Sequence, residues 1–410
     1  MKRLLCILLC AGFLAMLPMT AAADGAEATP YKSTYTKEFE GTTLNVYNWG
    51  EYIDESIFED FEDLTGIRVN YSTYETNESM YTKLVAGGAS YDIIIPSDYM
   101  VARLINEDRL EKLDWAHIPN KQFTDPTLDT TTYDPTNEYS IPFTWGFVGV
   151  VYNSKYITEP VTGFVDLWNG NYAGKILTMN NSRDVFAIAL SRLGMDYNTE
   201  DPADWQKALD LLRQQKPLLQ GYVTDEIYNK MESGEAWIAP CYVGDYLAMV
   251  ENNPDLRFAY PTEGSNTFID AVCIPKGSKN KAAAEVFINF LCEPEIALRN
   301  INEIWYFTPN TVTAEMEDYF LACEVADESL LQLLEDKTPQ TKGQIFHALS
   351  PSTQKNLEEL WLTLKRSSVG WYVYAVLGGA LALALLLAVI RRIKKKKAEA
   401  LYESDYGRSA

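Results

Sequence analysis

The sequence predicts an α/β protein built on a mostly parallel sheet, preceded by an export signal and followed by one membrane-spanning helix. Three observations carry this reading. Between Leu44 and Ser97, strand-like and helix-like runs alternate as β-α-β-α-β, and alternation in so short a stretch puts helices on the faces of a parallel sheet. Residues 1–23 set Lys2 and Arg3 before an apolar run that ends in small residues, the layout of a secretory signal peptide cleaved near Ala23. Val369 to Ile390 is uncharged and is followed at once by RRIKKKK. A stretch of that length spans a bilayer, and the basic run after it belongs on the cytoplasmic side.

The elements follow in order. Cys10 offers a lipoprotein reading of the signal, but cleavage there leaves too short an apolar region. Residues 24–42 form a polar leader. LNVYNW (Leu44 to Trp49) is the first strand. Ile53, Ile57, Phe58, Phe61 and Leu64 recur at helical spacing, and Gly66 stands where a glycine ends a helix. IRVNYS (Ile67 to Ser72) is the second strand, SMYTKLVAGG a helix and YDIIIPS (Tyr91 to Ser97) the third strand. A second α/β unit starts at Phe147, with GKILTMN, a helix from Asp184 and the strand-like AWIAPCYVGDY. RFAYPTEGSNTFIDAVCIP and the helical KAAAEVFINFLCEPEIALRN come next, and Leu330 to Lys365 reads as helical segments leading to the membrane.

Composition narrows the function. The chain holds 57 acidic against 35 basic residues, a formal charge of −22. Residues 24–365 keep 54 acidic and 25 basic residues, near −29, because the basic tail masks part of the acidity. Such a surface is a poor partner for phosphate backbones and suits cations. With only His117 and His347 present, and Cys241, Cys273, Cys292 and Cys323 lacking any CxxC spacing, no zinc or redox motif is encoded. GNYAGKI (Gly170 to Ile176) is one residue short of a phosphate loop and lacks the hydroxyl after Lys175. No GxGxxG, HExxH, GxSxG or EF-hand pattern occurs, and no metal, cofactor or catalytic residue is indicated.

Ligands of parallel sheets sit at the carboxyl ends of the strands. That rule selects Trp49, Glu51 and Tyr52 after the first strand and Ser97, Asp98 and Tyr99 after the third. Aromatic faces attract ammonium groups by roughly 0.5–2 kcal/mol each, and carboxylates add charge-assisted hydrogen bonds. The combination suits an organic cation.

YNWGEYID, YDIIIPSDYMV, YSIPFTWGFVGVVYN, DLWNGNYAGKIL, SRDVFAIALSRLGMDYNT, FIDAVCIPKGSKNKAAAEVFINFL and YFTPN, in this order from about Leu44 to Asn310, together resemble the spermidine/putrescine-binding proteins of polyamine ABC transporters, extracellular solute-binding proteins. The resemblance implies a two-lobed periplasmic-binding-protein-like (type II) fold, with lobe one at 43–146 plus 269–314 and lobe two at 147–268 plus 315–365. It implies a monomeric, extracytoplasmic receptor that closes on a polyamine and hands it to permease subunits, without catalysis. By motif it places aromatic walls on Trp49, Tyr52, Tyr99, Tyr242, Phe268 and Tyr306, a hydroxyl on Ser97 and amine-binding carboxylates on Asp184 and Asp270, with Glu51 at the cleft mouth. Asn181 stands where spermidine-binding members carry an acid, Tyr242 and Phe268 where tryptophan is common, and Phe346 where a glutamine is expected, with Gln344 two residues earlier. Asp98 and Asp245 are candidates to restore the missing charge. A missing acid selects against a third ammonium, because an unpaired buried ammonium is costly, and this tilts the expectation towards putrescine. Two alternatives stand beside it: a receptor for another solute, and a membrane-tethered hydrolase using Asp184 and Asp270. A sensory ectodomain fits poorly with the short tail after Arg391.

Overall fold

The computed structural model describes residues 34–87, 90–128, 130–319, 328–335, 342–366 and 386–397. The signal peptide, the start of the leader, Cys323 and most of the 369–390 span lie outside the described residues. Among the described residues no helix is long and apolar enough to cross a membrane.

Strand β1 (Thr43–Trp49) buries Leu44 and Val46 completely. Helix α1 (Ile57–Thr65) puts Ile57, Phe61 and Thr65 on the core at four-residue intervals and ends on Gly66 at φ 73°. The spacing predicts a start at Ile53, but the Asp54 side chain accepts the Ser56 N–H and turns the chain, so the helix begins after it. Strand β2 (Arg68–Tyr74) pairs parallel with β1. Helix α2 (Asn77–Val85) is capped by reciprocal Thr76 and Ser79 bonds. Strand β3 covers only Ile93–Ile94 of the predicted Tyr91 to Ser97. Pro96 has no N–H to give a ladder, and Ser97 makes a single bridge to Asp270 before helix α3 (Asp98–Asn106) begins.

Strand β4 (Ser140–Asn153) departs most from expectation. Its 14 residues run unbroken through the point where a second unit is expected to start. Beyond it come β5 (Ile176–Met179), α4 (Ser182–Arg192), α5 (Pro202–Gln215), β6 (Leu219–Val223), α6 (Glu226–Glu232), β7 (Ile238–Tyr242), α7 (Val243–Asn252), β8 (Leu256–Ala259) and β9 (Thr267–Cys273). Helix α5, which the sequence analysis does not include, starts on an Asp201 cap and Pro202 and buries Trp205, Leu209 and Leu212. The predicted single helix at KAAAEVF splits into α8 (Lys281–Leu291) and α9 (Pro294–Ile304), because a proline starts helices but does not continue them. Helices α10 (Glu328–Glu335) and α11 (Pro351–Lys365) complete the labelled elements.

The strands form a nine-stranded sheet in the order β2-β1-β3-β9-β4-β7-β5-β6, with β8 also on β4. The first half of β4 pairs antiparallel with β9, and the second half with β7 and β8. The partner change falls at Phe147 and Val148, between two glycines that leave room for rings. A Cβ on Gly146 would lie 2.8 Å from Phe268, and one on Gly149 2.0 Å from Phe258. The chain is thus a two-lobed α/β protein whose lobes share one crossing strand. A compact unit ends at Leu360. In the second unit, from Trp361, the Lys365 ammonium sits 5.0 Å from the Trp361 ring, and residues 386–397 are helical and exposed.

Candidate functional site

The carboxyl ends of β1, β2 and β3 and those of β5, β6 and β7 open onto one cavity of about 380 Å³. Trp49, Glu51, Tyr52, Ser97, Asp98, Tyr99, Asn181, Asp184, Tyr242, Asp245, Phe268, Asp270 and Tyr306 all border it. Glu51 has the left-handed backbone (φ 49°), which turns the chain after β1 so that Tyr52 returns to the cavity.

Two acids there are only half satisfied. Asp270, on β9, accepts the Tyr52 hydroxyl on Oδ2 at 2.6 Å, and Tyr52 also bonds Thr144 Oγ1 at 2.7 Å. Asp184, in the first turn of α4, accepts the Tyr242 hydroxyl on Oδ2 at 2.7 Å. In each residue Oδ1 is buried and makes no hydrogen bond. Burial pushes both carboxyls up to about 6, against the pull of the Ser97 and Tyr52 hydroxyls at Asp270 and of Tyr242 and Arg183 at Asp184. A run of edge-to-face rings joins the two acids. Tyr242 meets Phe268 at 5.5 Å, Phe268 meets Tyr306 at 6.1 Å, and Tyr306 meets Tyr52 at 5.1 Å. Buried free carboxylate oxygens at both ends of an aromatic wall call for hydrogen-bond donors carrying positive charge.

Others of the predicted residues make contacts within the protein. Asp98 gives its carboxylate to the backbone N–H groups of Tyr99 at 2.6 Å and Ile269 at 3.2 Å, so it ties α3 to β9. Asp98 also borders the cavity, as expected of a cleft acid. Asn181 caps α4, its Oδ1 accepting from the Arg183 and Asp184 N–H groups. Asp245 Oδ1 receives two hydroxyls, Tyr306 at 2.8 Å and Tyr228 at 3.0 Å, and burial raises its carboxyl to about 6. Gly244 makes the Tyr306 contact possible, since a Cβ there would lie 2.5 Å from the ring. Trp49 is fixed by its indole N–H on the Ile95 carbonyl at 2.9 Å.

Sequence reasoning missed several wall residues. Asn77 donates to the hydroxyls of both Ser97 and Tyr99 at 3.1 Å, and Tyr99 donates to Glu78 at 3.0 Å. Tyr74, at the carboxyl end of β2, obeys the same strand-end rule that selected Trp49. Phe346, which the motif comparison places at the expected glutamine position, closes part of the wall with its ring 4.5 Å from the Arg183 guanidinium. Among the described residues seven acids line the cavity (Glu51, Glu75, Asp98, Asp184, Asp225, Asp245 and Asp270), and no Lys, Arg or His does.

Residues 56–322 match the model of a family described as bacterial extracellular solute-binding protein. The chain belongs to this family. As a bacterial extracellular solute-binding protein it is not an enzyme, which removes the hydrolase alternative. It is 33% identical over 324 residues to the spermidine/putrescine-binding periplasmic protein of Salmonella typhimurium, covering 78% of this chain and 91% of the relative. The putrescine-binding periplasmic protein PotF of Escherichia coli K12 is 28% identical over 299 residues, covering 68% and 80%. The solved structure of the spermidine/putrescine ABC transporter substrate-binding protein PotD of Streptococcus pneumoniae superposes with a TM-score of 0.63 at 33% identity, covering 79% of this chain and 98% of that one. Among the described residues, Cys241, Cys273 and Cys292 of this solute-binding protein form no disulfide with one another.

Proposed function

We propose that the chain is a membrane-anchored, extracytoplasmic receptor of an ABC importer that captures a polyamine between Asp184 and Asp270. The observation carrying this reading is the pair of buried carboxylates, each with one oxygen free, joined by rings in a cavity that has no basic lining residue among the described residues. Ligand ammonium groups supply the missing donors, and the rings cover the methylene chain. The spermidine- and putrescine-binding names of the relatives support the same ligand class. Putrescine is the preferred cargo. Asn181 brings no charge and spends its oxygen on the helix cap, so a third ammonium lacks an obvious partner there.

In this reading the lobes close about the ligand by hinge motion and the closed form docks on the permease. The 369–390 segment tethers the receptor, with RRIKKKK inside. Calorimetric titration of the full-length chain in detergent with putrescine and spermidine tests the ligand. Binding of neither, with tight binding of a sugar or an anion, overturns the assignment. Retention of the chain in carbonate-washed membranes, lost on deletion of 369–390, tests the tether.

A further inference from the structure

Asn266 lies just before β9 with its backbone held from both sides. Its carbonyl accepts the Val148 N–H at 3.0 Å, and it forms a parallel bridge with Gln344. On either side of it, the Gln344 N–H bonds the Ser265 carbonyl at 2.8 Å, and the Thr267 N–H bonds the Gln344 carbonyl at 3.0 Å. The side chain therefore stands on a fixed base. It is 6% exposed and borders the cavity, and its Oδ1 has no hydrogen-bond partner. It shares the cavity wall with Asp184 and lies near enough to favour the ionised form of that carboxyl. A buried amide with an unused acceptor is costly to a folded protein unless something fills it.

We infer that Asn266 is a ligand-binding residue: with Asp184 it forms an amine subsite in which Asp184 Oδ1 supplies charge and Asn266 Oδ1 accepts a second N–H from the same ammonium. An ammonium has three N–H donors and is expensive to bury with any of them idle. One carboxylate oxygen leaves two to place. Asn266 supplies a neutral acceptor at the end of the cavity where Asn181 is occupied by capping, so the subsite gains a partner without gaining charge. It takes a primary ammonium, and a trimethylammonium head, which has no N–H, does not fit it.

This inference rests on the polyamine reading, and the test separates the two. Putrescine is titrated calorimetrically into full-length wild type, Asn266→Leu, Asn266→Ala and Asn266→Asp, and the thermal midpoint of each is measured without ligand. The expected result is a loss of about tenfold or more in affinity for Asn266→Leu and Asn266→Ala. Asn266→Asp, which keeps an acceptor oxygen, stays within about threefold of wild type. The unliganded Asn266→Leu protein should melt no lower than wild type, because a purely apolar side chain removes an unsatisfied acceptor. Wild-type affinity in Asn266→Leu or Asn266→Ala overturns the role of Asn266 and leaves the receptor assignment standing. A wild-type chain that binds no polyamine overturns both. A loss of affinity matched by a lower unliganded midpoint in both variants, with Asn266→Asp equally weakened, assigns Asn266 to structure and overturns the inference.

Discussion

The two ends of the cavity carry the same group in different settings. At one end Asp270 projects from β9, deep in the sheet, and its shift is raised by burial with only hydroxyls opposing it. At the other, Asp184 sits in the first turn of α4, where the helix start favours negative charge, and the acid Glu78 and the cation Arg183 act on it in opposite senses, Glu78 the more strongly. Arg183 is itself buried and turned to Asn198 Oδ1 at 2.7 Å and the His347 carbonyl at 3.2 Å. Asp270 thus meets only hydroxyls, while Asp184 meets a helix start, a cation and an acid together, and burial holds both carboxyls at about 6. Two chemically identical ends of a symmetric diamine would be held unequally.

The comparison can be broken most forcefully at Asp98, beside Asp270 but turned to the backbone. Asp98→Ala strands two buried N–H groups and should lower stability by roughly 2–4 kcal/mol, read by chemical denaturation, while ligand affinity of the folded fraction stays near wild type. Acidity acts on both ends together. Because Asp184 and Asp270 are raised to about 6 in the fold, their protonation stabilises the unliganded protein below that value, and this stability is lost as pH rises through it. Cation affinity has the opposite slope. Lowering the pH from 7 to 5 should weaken putrescine binding by about tenfold for each carboxylate, and calorimetry across that range checks it. Asp270→Asn should cost ~2–3 kcal/mol of binding, and Asp184→Asn less, ~1.5 kcal/mol, since the start of α4 already answers part of its charge. Equal losses would show that the ends are equivalent after all. The smallest effect belongs to Tyr242→Phe, which removes one hydroxyl from Asp184 and should weaken binding by ~1 kcal/mol with an unchanged effect of Asp270→Asn.

Much of the first lobe was legible in the sequence, because its strands and helices are short, periodic and punctuated by glycines such as Gly66. Strand-end position alone reached Trp49, Tyr52, Ser97 and Tyr99, and ordered motifs reached Asp184, Tyr242, Phe268, Asp270 and Tyr306. What stayed hidden depends on contacts between distant segments. Nothing in SDYM tells whether Asp98 faces a ligand or the Ile269 N–H, which lies 171 residues away. Asn266 carries no local signal, since its exposure to the cavity follows from pairing with both Val148 and Gln344. The unbroken β4 was missed for a related reason. Its residues read as one apolar run, and the change of partners at Phe147 leaves no mark except the flanking glycines.

That shared strand has a consequence for how the molecule comes apart. Halves that each owned a complete sheet could melt one after the other. Here the hydrogen bonds of β4 to β9 and to β7 sit on consecutive residues of one backbone, so fraying on either side removes a neighbour from the other. Hydrogen exchange should find the amides of β4 among the slowest in both lobes and exchanging in a single cooperative event, even while the walls of the cavity open and shut around them.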